Sequence, residues 1–180
     1  IRPNRVALFG YAHLPWMKKH QTMIDERGLP DAAARFAQAQ AAALMLREAG
    51  YVAIGIDHFA LPEDGLSMAL QAGKMRRNFQ GYTVDEADAL IGLGASAIGR
   101  LPQGHVQNMP ATGEYQRRVK AGDLATVRGH AMSDDDRARE AVIEKLMCEF
   151  GFGKGWLCLR HGDAALPLFD IANRMVAEGE

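Results

Sequence analysis

Two short segments set polar side chains just past apolar runs: Tyr11-Ala12-His13-Leu14-Pro15-Trp16 and Asp57-His58-Phe59-Ala60. In α/β proteins, polar groups beyond the C-terminal ends of strands line the site. Two histidines and an aspartate are ligand types for zinc or iron. Their spacing matches no defined metal signature, so His13 and His58 are expected instead to hydrogen-bond the backbone in tight loops and orient their neighbours. Arg76-Arg77-Asn78-Phe79-Gln80-Gly81-Tyr82 gathers two cations, two aromatics and two amides. Such a set can clamp carboxylates or phosphates and stack on a flat ring. A solvated loop with one buried aromatic accounts for it equally. Gly92-Leu93-Gly94-Ala95-Ser96-Ala97-Ile98-Gly99 has the outline of a dinucleotide fingerprint, but its third glycine falls two residues late. Its glycines can let a backbone approach an adenosine, or can simply pack a strand turn. Cys148 and Cys158 are the two cysteines of the chain. Alone they cannot hold a [4Fe–4S] cluster. Cys148 falls on an apolar helix face, where cysteine behaves as a small hydrophobe.

The elements that position these residues follow from pattern. Arg5–Gly10 and Tyr51–Ile56 read as buried strands. Residues 31–49 read as a helix with Asp31 as its N-cap and Gly50 past its end; Ala32, Phe36, Ala39, Ala43 and Leu46 form its apolar face. Strand, helix and strand predict a parallel, right-handed βαβ unit. Further helices are expected over Pro62–Gln71, Gly113–Ala121, from Ser133 to Phe150, and over 164–177, with Ser133 and Asp136 as a capping pair. Ala89–Leu93 reads as a short strand or buried turn, and Pro102–Pro110 as loop. The composition shifts near Pro110, predicting a division into 1–109 and 110–180.

Size and charge narrow the class. The 180 residues suit one domain or a domain with an appendage, and nearly half are hydrophobic, too many for disorder. A net charge of -1 argues against a general nucleic-acid binder. No apolar run is long enough to span a bilayer, no signal peptide is visible, and a reducing cytoplasm is the expected setting. The chain opens on Ile1 and a buried-type strand, which suggests a segment of a larger protein.

Taken in order, several segments resemble the oxygen-independent coproporphyrinogen III oxidases, a family of radical S-adenosylmethionine enzymes. They are Gly10–Pro15, Gly50-Tyr51 with Ile54–Ala60, Arg77–Thr83 and Leu93–Ile98. Gln107-Asn108, Arg128-Gly129 and Leu146-Met147-Cys148 complete the series. The resemblance implies an α/β fold: the final portion of a partial (β/α) barrel with extra strands, then a mainly helical C-terminal domain, truncated at Glu180. It implies S-adenosylmethionine and a [4Fe–4S] cluster in the complete protein. The family's CxxxCxxC ligands have no counterpart here.

By resemblance, Ala12 and Ile98 match cofactor-contacting positions, and Phe79 and Gln80 lie beside the bound cofactors. No catalytic acid or base and no metal ligand is assigned. The implied reaction is oxidative decarboxylation of two propionates of coproporphyrinogen III to the vinyl groups of protoporphyrinogen IX, with an electron donor and an electron acceptor as partners. Because the substrate carries four carboxylates, Arg76 and Arg77 are candidate clamps on charge. A haem-binding relative of the same superfamily and an unrelated nucleotide-binding α/β protein are the competing readings. The complete protein is expected to be monomeric. The chain alone is expected to be inactive and to self-associate or be marginally stable.

Overall fold

The structure, a computed structural model, describes residues 1–179. Its contacts group the chain into two compact units, Ile1–Met75 and Arg76–Glu180. Two strands pair across Pro110, as described below.

In the first unit, β1 (Arg5–Ala7) leads through a long loop to helix α1 (Ala32–Glu48). The Asp31 carboxylate accepts the Ala34 N–H at 2.8 Å, satisfying a helix-end donor. Gly50 leaves the helix at φ +88°. Two strands follow, β2 (Val52–Ile54) and β3 (His58–Ala60), then helix α2 (Gly65–Gln71), capped by Asp64. The expected parallel pairing is replaced by an antiparallel one. The sheet order is β1-β3-β2, with β3 antiparallel to both neighbours. The cause is Gly55, whose φ of +58° reverses the chain in mid-run. The run read as one strand is therefore a β2 edge and a turn, and His58 opens β3 instead of following a strand. Tyr51, Phe59 and Leu61 form the core, with Val6, Leu8, Ala43 and Leu46 against them. Only the C-terminal half of the α1 apolar face is used in this way; Phe36 stays 67% exposed.

In the second unit, β4 (Arg76–Asn78) and β5 (Gly81–Thr83) form a hairpin. Strands β6 (Ile98–Leu101), β7 (Gly104–Asn108) and β8 (Thr126–Ala131) make an antiparallel sheet in that order. Helix α3 (Thr112–Lys120) connects β7 to β8. The expected loop Pro102–Pro110 is thus the turn of β6–β7 followed by a strand. Gly104 permits the tight pairing: at φ +150°, a Cβ would lie 2.0 Å from the His130 carbonyl oxygen. Helices α4 (Asp134–Glu149), α5 (Lys154–His161) and α6 (Leu166–Glu178) complete the unit. Ser133 and Asp136 close the expected capping box on α4. Ala138, Val142, Leu157, Ala165 and Leu168 are the buried core, faced by Phe152, Trp156 and Phe169.

Candidate functional site

In the first unit, the loop after β1 is laced by one amide. Gln21 Oε1 accepts the Leu14 N–H at 2.6 Å, while its Nε2 donates to the Ala12 carbonyl at 3.0 Å. Ala12 is therefore fixed through its backbone. His13 lies between the Tyr11 hydroxyl (3.1 Å) and Glu26 Oε1 (3.0 Å). His58 Nδ1 lies 2.6 Å from its neighbour Asp57. Each imidazole has its own carboxylate, and among the described residues no group of three or more His, Cys, Asp or Glu is gathered to hold a metal. A cavity of about 430 Å³ opens beside this loop, lined by Phe9, Tyr11, His13 and Arg35 among mostly apolar neighbours.

In the second unit, Phe79 and Gln80 are the two residues at the β4–β5 turn, between the paired Asn78 and Gly81. Asn78 Oδ1 accepts the Gln80 N–H at 2.9 Å, which pre-forms the turn. Gln80 Nε2 donates to the Ile98 carbonyl at 3.3 Å, so three of the residues singled out by resemblance meet in one place. Phe79 stands edge-to-face with His105 at 5.1 Å and remains 61% exposed. The His105 ring is in turn held by Glu140 at 3.2 Å.

The two arginines have different neighbours. Arg76 Nε donates to Glu144 Oε1 at 2.8 Å, and the same oxygen accepts the Arg77 N–H at 3.0 Å. Arg77 instead lays its guanidinium over the Tyr82 ring, 4.5 Å from the centroid, and its buried Nη1 has no hydrogen-bond partner. A buried cationic donor without an acceptor is costly unless something arrives to accept from it. Tyr82 anchors this arrangement by donating its hydroxyl hydrogen to the Met147 carbonyl at 3.1 Å.

The glycine-rich turn is packed on itself. A Cβ at Gly99 would meet the Leu90 carbonyl at 2.8 Å. Asn108 Nδ2 donates to the carbonyls of Gly92 (2.9 Å) and Gly94 (3.1 Å), and the Tyr115 hydroxyl accepts the Gly94 N–H at 3.0 Å. Asn108, Tyr115, Glu144 and His105 thus position the site without having been singled out for it. The only hint was the pair Gln107-Asn108, whose role depends on contacts across strands.

Similarity to known proteins is extensive. No protein-family model matches the chain. Oxygen-independent coproporphyrinogen III oxidase from Bradyrhizobium diazoefficiens is 50% identical over 97% of the chain, and that from Paracoccus denitrificans 54% over 98%. The chain spans 39% of the length of each. The solved structure of coproporphyrinogen III oxidase from Escherichia coli, a radical SAM enzyme, superposes with a TM-score of 0.80 at 36% identity; 88% of this chain and 37% of that one are covered. The chain is a homologue of the C-terminal part of the oxygen-independent coproporphyrinogen III oxidases, and its mixed helix-and-sheet fold matches the part of that radical SAM structure on which it superposes. The two cofactors implied by this fold differ in how they fit. The described residues offer no cluster site: Cys148 is buried, and burial, with the nearby Glu144 charge, pushes its thiol up to about 11. The Phe79 ring and Gln80 amide, exposed beside Ile98, do fit a flat nucleoside.

Proposed function

We propose that this chain supplies the cofactor- and substrate-facing C-terminal part of an enzyme that oxidatively decarboxylates coproporphyrinogen III to protoporphyrinogen IX in haem biosynthesis. The observation that carries the reading is the 50% identity over 97% of the chain to a relative of that name. Ala12, Ile98, Phe79 and Gln80 are the residues that would hold S-adenosylmethionine. When bound in the complete protein, that cofactor supplies the chemistry that removes hydrogen from a propionate.

The chain's own residues orient and shield. Phe79 offers a ring for stacking and Gln80 a fixed amide, both set by the Asn78 turn. Arg77 keeps one buried guanidinium nitrogen unmatched, and its planar fork is the candidate donor to a substrate carboxylate. Arg76 shares its charge with Glu144 and is the weaker clamp of the two. Cluster-binding residues, an electron donor, an electron acceptor, a cytoplasmic location and a monomeric state belong to the same reading of the complete protein. Among the described residues, no helix is long and apolar enough to cross a membrane.

The test is anaerobic turnover by the full-length polypeptide with S-adenosylmethionine, a reductant and an electron acceptor. Conversion of coproporphyrinogen III to protoporphyrinogen IX with release of carbon dioxide is expected. Tight haem binding without conversion would overturn the reading.

A further inference from the structure

The second unit contains a cavity of about 430 Å³ that the cofactor-contacting residues do not line. Its volume is in the range of small-molecule sites and far above that of a single water. Arginines enter from three elements: Arg100 from β6, Arg137 from α4 and Arg160 from α5, beside Arg76 of β4. The carboxylates that face them are Asp88, Glu140 and Glu144. Glu144 is matched by Arg76 at 2.8 Å. Arg100 and Arg137 donate to the backbone carbonyls of Ala87 (3.2 Å) and Pro102 (2.7 Å) and form no ion pair among the described residues. Arg160 makes no side-chain hydrogen bond or ion pair among the described residues. The lining therefore carries an excess of positive charge, and buried beside it is the Nε2 of His161 without a partner. Burial, together with the neighbouring Arg160, holds the His161 imidazole below its ordinary range.

We propose that this cavity binds a carboxylate. If the preceding reading of the substrate is right, on which this part rests, the occupant is one of the two propionates that are not decarboxylated. Guanidinium forks match a planar carboxylate, and an imidazole N–H adds one further donor. The placement suits such an anchor. Ile98 and Arg100 are two apart on β6, so their side chains share one face about 7 Å apart. A macrocycle reaching the Ile98–Gln80 contact can extend one acidic arm toward Arg100 while another arm lies at the cofactor. Holding a retained arm fixes which arm is presented for reaction.

The test uses the full-length polypeptide and the side-chain ¹H–¹⁵N signals of His161, with propionate as the first probe. A saturable shift of the Nε2 signal is expected, weakened roughly tenfold by Arg160→Gln. Arg160 holds nothing in place, so this variant keeps the fold; Arg100→Gln provides a second, independent reduction. Coproporphyrin III is expected to produce the same shift at lower concentration, and its tetramethyl ester none. Absence of a saturable shift with propionate and with coproporphyrin III would overturn the proposal, as would an affinity in both variants unchanged from that of the unsubstituted protein. Saturation by inorganic phosphate alone would overturn the carboxylate assignment. A responsive His161 in a protein whose full-length form does not convert coproporphyrinogen III would leave the cavity standing and remove the proposed reaction; turnover with an unresponsive His161 would do the reverse.

Discussion

Arg77 differs from Arg76 by one position in sequence and by a whole environment in the fold. Its guanidinium lies on Tyr82 with one nitrogen unmatched, whereas Arg76 is paired with Glu144. In the full-length enzyme, Arg77→Lys keeps the charge but loses the planar fork. It should lower kcat/KM by roughly tenfold to a hundredfold, mainly through KM, with little change in thermal midpoint. A fall in thermal midpoint at unchanged KM would make Arg77 a structural residue. Composition showed two cations near two aromatics, and the resemblance pointed to Phe79 and Gln80. Neither could tell the arginines apart, because the difference is made by Glu144, far along the chain. Arg160 and His161 were invisible for the same reason: nothing local to them suggests a wall shared with β6.

Helices were the most legible elements, because their ends are written in single residues. Asp31, Asp64 and Ser133 all cap as a short polar side chain should. The hairpins were not legible, since RRN, GYT and GHVQN show no alternation of apolar and polar residues; their pairing comes from turns and from neighbouring elements. Asp64 ties its element to pH. Burial opposes its ionisation, but hydrogen bonds from Arg5 (2.9 Å) and the Leu66 N–H (2.8 Å) prevail and hold its carboxyl below the ordinary 3.8. A carboxyl depressed in the fold stabilises above its unfolded pKa, and that stability is lost as pH falls through the folded value. Asp64→Asn keeps the cap and removes the charge. It should cost about 1 kcal/mol at pH 7, a modest figure because Arg5 is half exposed, and progressively less as pH falls below about 4. Thermal melts of both proteins across that range measure it; a constant difference would contradict the assignment.

At the scale of the molecule, the shift in composition near Pro110 falls between two strands that pair with each other. Strand β8 lies beyond it and is exposed along its whole length, so no apolar pattern announced it, yet it pairs with β7. The first unit also leaves apolar surface uncovered: α1 has no buried residue, and Phe36, Leu44 and Met45 are each more than half exposed. Exposed apolar side chains of this number favour association. Sedimentation of the 180-residue protein should show self-association that grows with concentration and weakens on Phe36→Ser. A monomer at every concentration would count against it.

The Gln21 side chain carries a consequence of its own. One end accepts and the other donates, and both targets are main-chain groups of the segment that contains Ala12. Replacing its NH₂ by oxygen, as in glutamate, would turn the giving end into a second taker facing a carbonyl. The loop would lose one of its two stitches through the exchange of a single atom, with side-chain length and shape preserved.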